Sequence, residues 1–101
     1  MSYLVSVIKK YGKSVQIGDD TIKAMIQPLR RRNIFYNKTR IPLDNLNGYM
    51  LYIGYPNYPL SEKQTINVGG KEYTVIVTEP YMNKDVCCYI WAILKEKSLC
   101  R

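Results

Sequence analysis

Residues 86–94 read Val-Cys-Cys-Tyr-Ile-Trp-Ala-Ile-Leu, VCCYIWAIL. Strict alternation along an extended strand sends Val86, Cys88, Ile90, Ala92 and Leu94 to one face and Cys87, Tyr89, Trp91 and Ile93 to the other. Both faces are apolar, so both need cover. In a small protein only one of them can be given to the main core. The identity of the second cover decides how the chain is built.

Working back from this segment, alternation recurs. Glu72–Thr78 places Tyr73, Val75 and Val77 on one face. It is joined to Thr65–Val68 by Gly69-Gly70, a strong hairpin signal between two alternating runs. Tyr49–Tyr55 sets Tyr49, Leu51, Ile53 and Tyr55 on one face. It is followed by the turn-rich break Tyr55-Pro-Asn-Tyr-Pro59. Thr21–Leu29 carries Ile22, Ala24 and Ile26 on one face, and Pro28, lacking an amide donor, ends or bulges that strand or confines it to an edge. Val15 and Ile17 alternate with Ser14 and Gln16 before the turn Gly18-Asp19-Asp20. Asn83-Lys84-Asp85 connects the Glu72 strand to the segment at 86–94.

Two stretches break the period of two. Ser2–Tyr11 fits a short helix, with Ser2 as N-cap and Gly12 as stop. Leu4, Val7, Ile8 and Tyr11 make one apolar stripe, and Lys9 and Lys10 sit where the helix dipole favours cations. Residues 30–47, RRRNIFYNKTRIPLDNLN, lack sustained periodicity and read as one long loop, of the kind that in a small domain is either functional or poorly ordered, with Phe35, Tyr36 and Ile41 arguing against simple disorder. No β-α-β alternation occurs. The expected fold is therefore mainly β: a small antiparallel β-barrel or curled sheet of about six strands with a short N-terminal helix and one long loop. It is one domain over residues 1–101, with the helix in 1–12, the barrel in 13–96 and a charged tail in 97–101.

Composition narrows the chemistry. A chain of 101 residues buries only about 60–65% of its unfolded surface, yet this one carries ten tyrosines, one tryptophan and one phenylalanine. The helix stripe is too narrow to cover both Trp91 and the tyrosines Tyr49, Tyr52, Tyr55 and Tyr58. The reading is that the barrel interior takes one face of 86–94, while the helix and a neighbouring subunit share the other. Histidine is absent, which removes Ser-His-Asp and Cys-His catalytic groups and the commonest zinc ligand. The carboxylates lie in turns or beside lysines, and no glycine-rich phosphate loop is present. Cys87, Cys88 and Cys100 do not form a disulfide framework, and adjacent strand cysteines point apart. Neither a catalytic residue, a cofactor nor a metal is expected. The N-terminus has no signal-peptide layout, and no apolar run approaches the ~20 residues needed to span a bilayer.

The formal charge is +7, from 15 Lys and Arg against 8 Asp and Glu. Such a field favours acidic partners. Arg30-Arg31-Arg32 is its sharpest feature, with Phe35, Tyr36, Lys38 and Arg40 close by. The arginines serve ionic docking to an acidic protein surface, a nucleic-acid backbone, or a solvated strand end that discourages edge pairing.

AMIQPLRRRN, GYMLYIGYPNYPL, INVGGKEYTVIVTEPY and DVCCYIWAILK together resemble a family of small proteins of Firmicutes prophages and contractile phage-tail-like particles, described as head–tail joining, neck, head-closure or collar proteins. The resemblance runs from Thr21 to Lys95. It lies in the order and spacing of Ile26-Gln27-Pro28-Leu29-Arg30, Leu51-Tyr52-Ile53-Gly54, Gly70 through Tyr73, and Tyr89 through Leu94. Where the family commonly carries a tyrosine or another non-basic residue near Arg31, this chain has three arginines. The resemblance implies a ring-forming virion component, a small β-barrel with an extended loop and without catalytic residues. It would be assembled in the bacterial host cytoplasm and would touch adjacent copies and portal, adaptor, tail-terminator, tube or sheath proteins. No membrane partner is expected. Phe35, Tyr36, Tyr55, Tyr58 and Trp91 are the expected apolar anchors, and Arg30, Arg31 and Arg32 the ionic contacts. The alternative is a small basic barrel that binds single-stranded nucleic acid, with Tyr36, Tyr49 and Tyr52 as stacking platforms.

Overall fold

The computed structural model describes residues 3–30 and 47–97. Helix α1 (Tyr3–Tyr11) leads into strands β1 (Lys13–Ile17), β2 (Asp20–Pro28), β3 (Tyr49–Gly54), β4 (Thr65–Val68), β5 (Lys71–Asn83) and β6 (Val86–Glu96). All pairings are antiparallel, and the strands close in the order β1-β2-β3-β6-β5-β4. The cylinder is sealed where β4 returns to β1, through Val15↔Val68 and Gln16↔Asn67. The closed barrel is thus the architecture, and the open curled sheet is not. Most of the loop expected over 30–47 lies outside the described residues.

The turns follow their residues. Gly69 and Gly70 both hold positive φ (61° and 88°), the requirement of a tight two-residue hairpin. The Gly70 amide also donates to Asn67 Oδ1 at 3.1 Å. Gly18 takes the left-handed position of the β1–β2 turn at φ 60°. Strand β2 ends at Pro28, and the Leu29 amide then donates to the Tyr49 carbonyl at 3.1 Å. At the end of α1 the Gly12 amide donates to the Ile8 carbonyl at 2.8 Å, as expected of a stop.

The interior is filled by Val15, Ile17, Ala24, Ile26, Tyr52, Leu60, Ile66, Tyr73, Val75, Ile90, Ala92 and Leu94. A second apolar cluster lies on the outer face of β3, β5 and β6: Leu29, Tyr49, Leu51, Val77, Trp91 and Ile93, with Ile53 and Tyr89 packed against it. This cluster holds the second apolar face of 86–94. The expectation that the helix covers Trp91 is corrected, because α1 packs against β2. Ile8 is its fully buried anchor, whereas Tyr11, the last residue of the expected stripe, is 64% exposed. The side chain of Leu4 lies outside the described residues.

Two irregularities in the β5–β6 ladder change which residues share a face. The register passes from Val75↔Leu94 to Val77↔Ile93, so Ile76 is an extra residue in β5. Val77 therefore joins the outer cluster instead of following Tyr73 and Val75 inward. Further along, Tyr81↔Tyr89 is followed by Met82↔Cys87, which makes Cys88 the extra residue in β6. Cys87 consequently packs on the interior cluster, beside Ile90, and not with Tyr89 and Trp91. A rule of two assigns both residues to the wrong side, because a bulge shifts the pleat by one.

Tyr52 is fully buried and its ring lies over Gly54, two residues along the same strand. A Cβ at position 54 would sit 2.5 Å from Tyr52 Oη and 2.8 Å from Cε1. The enclosed ring has no free space to swing into, so Gly54→Ala is expected to destabilise the fold by about 1–3 kcal/mol in urea unfolding. An unchanged midpoint would show that the barrel end yields more easily than its packing indicates.

Candidate partner-binding surface

The antiparallel order assigns each turn to one end of the cylinder. One end carries the β1–β2 turn, the β3–β4 connection and the far part of the β5–β6 hairpin. The other carries the β4–β5 turn, the start of β1, the start of β3 and the end of β6.

At the first end β5 and β6 outrun their neighbours. β4 pairs with β5 only up to Thr74, and β3 pairs with β6 only back to Ile90. Residues 79–89 therefore form a two-stranded arm that continues past the barrel by about 15 Å, at the usual rise of a strand. Its turn is Lys84-Asp85, with Lys84 at φ 60°. Pro80 pairs with Ile90 and lies where β5 has no second neighbour, a position that tolerates the missing amide. The Tyr81 and Tyr89 rings stack, with centroids 4.9 Å apart and planes within 11°. Burial, with Tyr81 and Cys88 as smaller contributors, raises the pKa of the Tyr89 hydroxyl. Tyr81 (50%), Met82 (47%) and Val86 (65%) are strongly exposed, so the arm carries apolar surface that the barrel does not use.

Between the arm and the β3–β4 connection runs an open groove of about 380 Å³, lined by Pro56, Pro59, Leu60, Pro80, Met82 and Cys87 among others. Nearby, the Tyr58 hydroxyl donates to Asp20 Oδ2 at 2.7 Å and ties the β3–β4 connection to the β1–β2 turn. That hydrogen bond raises the Tyr58 pKa, with smaller contributions from burial and the Asp20 charge. The Tyr52 hydroxyl points the same way but is buried with no hydrogen-bond partner among the described residues. Burial, and secondarily Tyr58, pushes its pKa up to about 12.

The opposite end opens as a mouth of about 410 Å³. Its floor is Ile26, Met50, Val68 and Tyr73, and its rim includes Lys13 and Lys71. Lys71 reaches Glu96 at 3.9 Å, a loose, exposed ion pair. Lys95 lies 5.6 Å from the Tyr49 ring centroid, and the Lys97 amide donates to the Glu72 carbonyl. Arg30, just past β2, is exposed at this end.

Of the residues expected to bind partners, the four described ones do not gather on one surface. Arg30 is at the mouth end, while Tyr55 and Tyr58 are half-buried at the arm end. Trp91 is 9% exposed within the outer cluster of a single chain, so its indole offers little area to a neighbour. Arg31, Arg32, Phe35 and Tyr36 lie outside the described residues. Tyr49 and Tyr52 are buried, at 9% and 0% exposure, and cannot act as open stacking platforms. The exposed residues of the arm, Tyr81, Met82 and Val86, are absent from the expected set. Their signal was the run Tyr81-Met82 continuing β5 past Thr78, obscured by Pro80. Among the described residues no group of three or more His, Cys, Asp or Glu side chains could hold a metal ion, and no helix is long and apolar enough to cross a membrane. Comparison of the chain with protein-family models, curated proteins and solved structures finds no match.

The partnerless Tyr52 hydroxyl gives a test of this end of the barrel. Tyr52→Phe removes a buried group that gains nothing from folding, so stability at neutral pH should hold or rise by about 1 kcal/mol. Tyr58→Phe loses the tie to Asp20 and should lower the unfolding midpoint. Because the folded-state pKa of Tyr52 is raised from 10.0 to about 12, its contribution is whole below pH 10 and is lost as pH rises through about 12. Tyr52→Phe should therefore flatten the alkaline decline in stability, followed by tyrosinate absorbance and circular dichroism together. An alkaline decline identical to that of the parent would assign that loss to other groups.

Proposed function

We propose that this chain is a non-enzymatic assembly protein of a phage virion or phage-tail-like particle, a neck, head-closure or collar subunit that joins rings by protein–protein contacts. The observation that carries the reading is the arm: a closed barrel that needs no further strand extends a stiff hairpin with Tyr81, Met82 and Val86 exposed. Such a shape suits a fixed block that reaches its neighbours; the extended loop that the sequence resemblance implies for this family is a separate feature, expected over 30–47. The surplus of positive charge and the exposed Arg30 suit docking on an acidic ring. Weak contacts of this kind add around a ring through multivalency.

The nucleic-acid alternative loses two of its three stacking residues, since Tyr49 and Tyr52 are enclosed. Titration with labelled single-stranded oligonucleotides at several salt concentrations separates the two readings. Assembly predicts no binding at moderate salt, whereas tight binding with a steep salt slope would favour the alternative. Replacing Arg30, Arg31 and Arg32 with glutamate should leave a folded barrel but abolish particle joining, scored by negative-stain microscopy of purified particles. Normal particles from that variant would remove the ionic-docking part of the proposal.

A further inference from the structure

We propose that the tip of the β5–β6 arm of one copy seats in the basic-rimmed mouth at the opposite end of the next, so that copies join head to tail. The inference rests on the assembly reading and adds the contact itself. Both halves are present on one chain. The tip presents Met82 and Val86, exposed on either side of the Lys84-Asp85 turn. The mouth presents an apolar floor of Ile26, Met50, Val68 and Tyr73 beneath Lys13 and Lys71.

Four features favour a second copy as the occupant. The charges match in both senses: Asp85 finds Lys13 and Lys71, and Lys84 finds Glu96 beside Lys71. The cost of committing Lys71 is small, because its ion pair with Glu96 is long and exposed. The geometry also permits approach, since the Lys84-Asp85 turn is the farthest point of a hairpin that outruns its neighbouring strands and can enter a hollow without barrel meeting barrel. Pro80 denies an amide to added strands along part of the arm, which favours insertion of the tip over pairing along its side. The surfaces in contact differ, so the interface is heterologous. It closes into a ring or continues as a stack according to the angle between copies.

Charge reversal with rescue tests this on the full chain. Wild type should self-associate in sedimentation experiments at low salt. Asp85→Lys and Lys71→Glu should each weaken association by at least about tenfold while leaving circular dichroism unchanged. Mixing the two variants should restore association, because the Asp85 tip of one meets the Lys71 mouth of the other. Val86→Asp should weaken association in every background. A wild-type chain that remains monomeric, or association that ignores both reversals, would overturn the contact. Incorporation into particles reads the assembly role separately. A chain built into particles whose tip and mouth variants are built in equally well loses this contact and keeps that role, whereas a chain that enters no particle loses both.

Discussion

Everything in this molecule is arranged around a strand that has no polar face. Between Ile90 and Leu94 every residue of β6 is buried, so β6 cannot lie at an edge or toward water. It is held between β3 and β5, with Ile90, Ala92 and Leu94 inward and Trp91 and Ile93 outward. The inner requirement draws the sheet around into a cylinder. The outer requirement gathers Leu29, Tyr49, Leu51 and Val77 into a second cluster. One barrel chain therefore has two apolar layers, with β6 as the wall between them.

The bulges at Ile76 and Cys88 reconcile those layers with one continuous hairpin. Without the first, Val77 would point inward and the outer cluster would lose a member. Without the second, Cys87 would leave the interior side for the face of Tyr89. Each bulge also increases local twist and bends its strand along the hairpin that becomes the arm.

The architecture was legible in the sequence because short-range chemistry sets most of it. Gly69-Gly70, Gly18-Asp19, Gly12 and Pro28 each act through their own backbone, and each marks an element end where the structure has one. Period-two patterning located all six strands. It failed where the period slips, at Ile76 and Cys88, since nothing in a linear pattern signals an unpaired residue that depends on the partner strand. It stopped short at the end of β5, read as Glu72–Thr78, whereas the strand continues through Pro80, which pairs with Ile90, to Asn83. The surface was less legible. Trp91 looked like an anchor because its composition suits interfaces, but burial is a property of the assembled sheet. Arg30 and the pair Tyr55 and Tyr58 belong to different ends because antiparallel order separates them.

The seam between β1 and β4 carries a consequence for motion. It rests on two register pairs, whereas the β5–β6 ladder runs the length of the arm and the wall. Local openings follow the weakest hydrogen-bonded joint. Any opening of the cylinder is therefore expected first along that line, where β1 meets β4. A barrel that flexes at one stave can adjust its girth to its surroundings while the projecting hairpin keeps its aim.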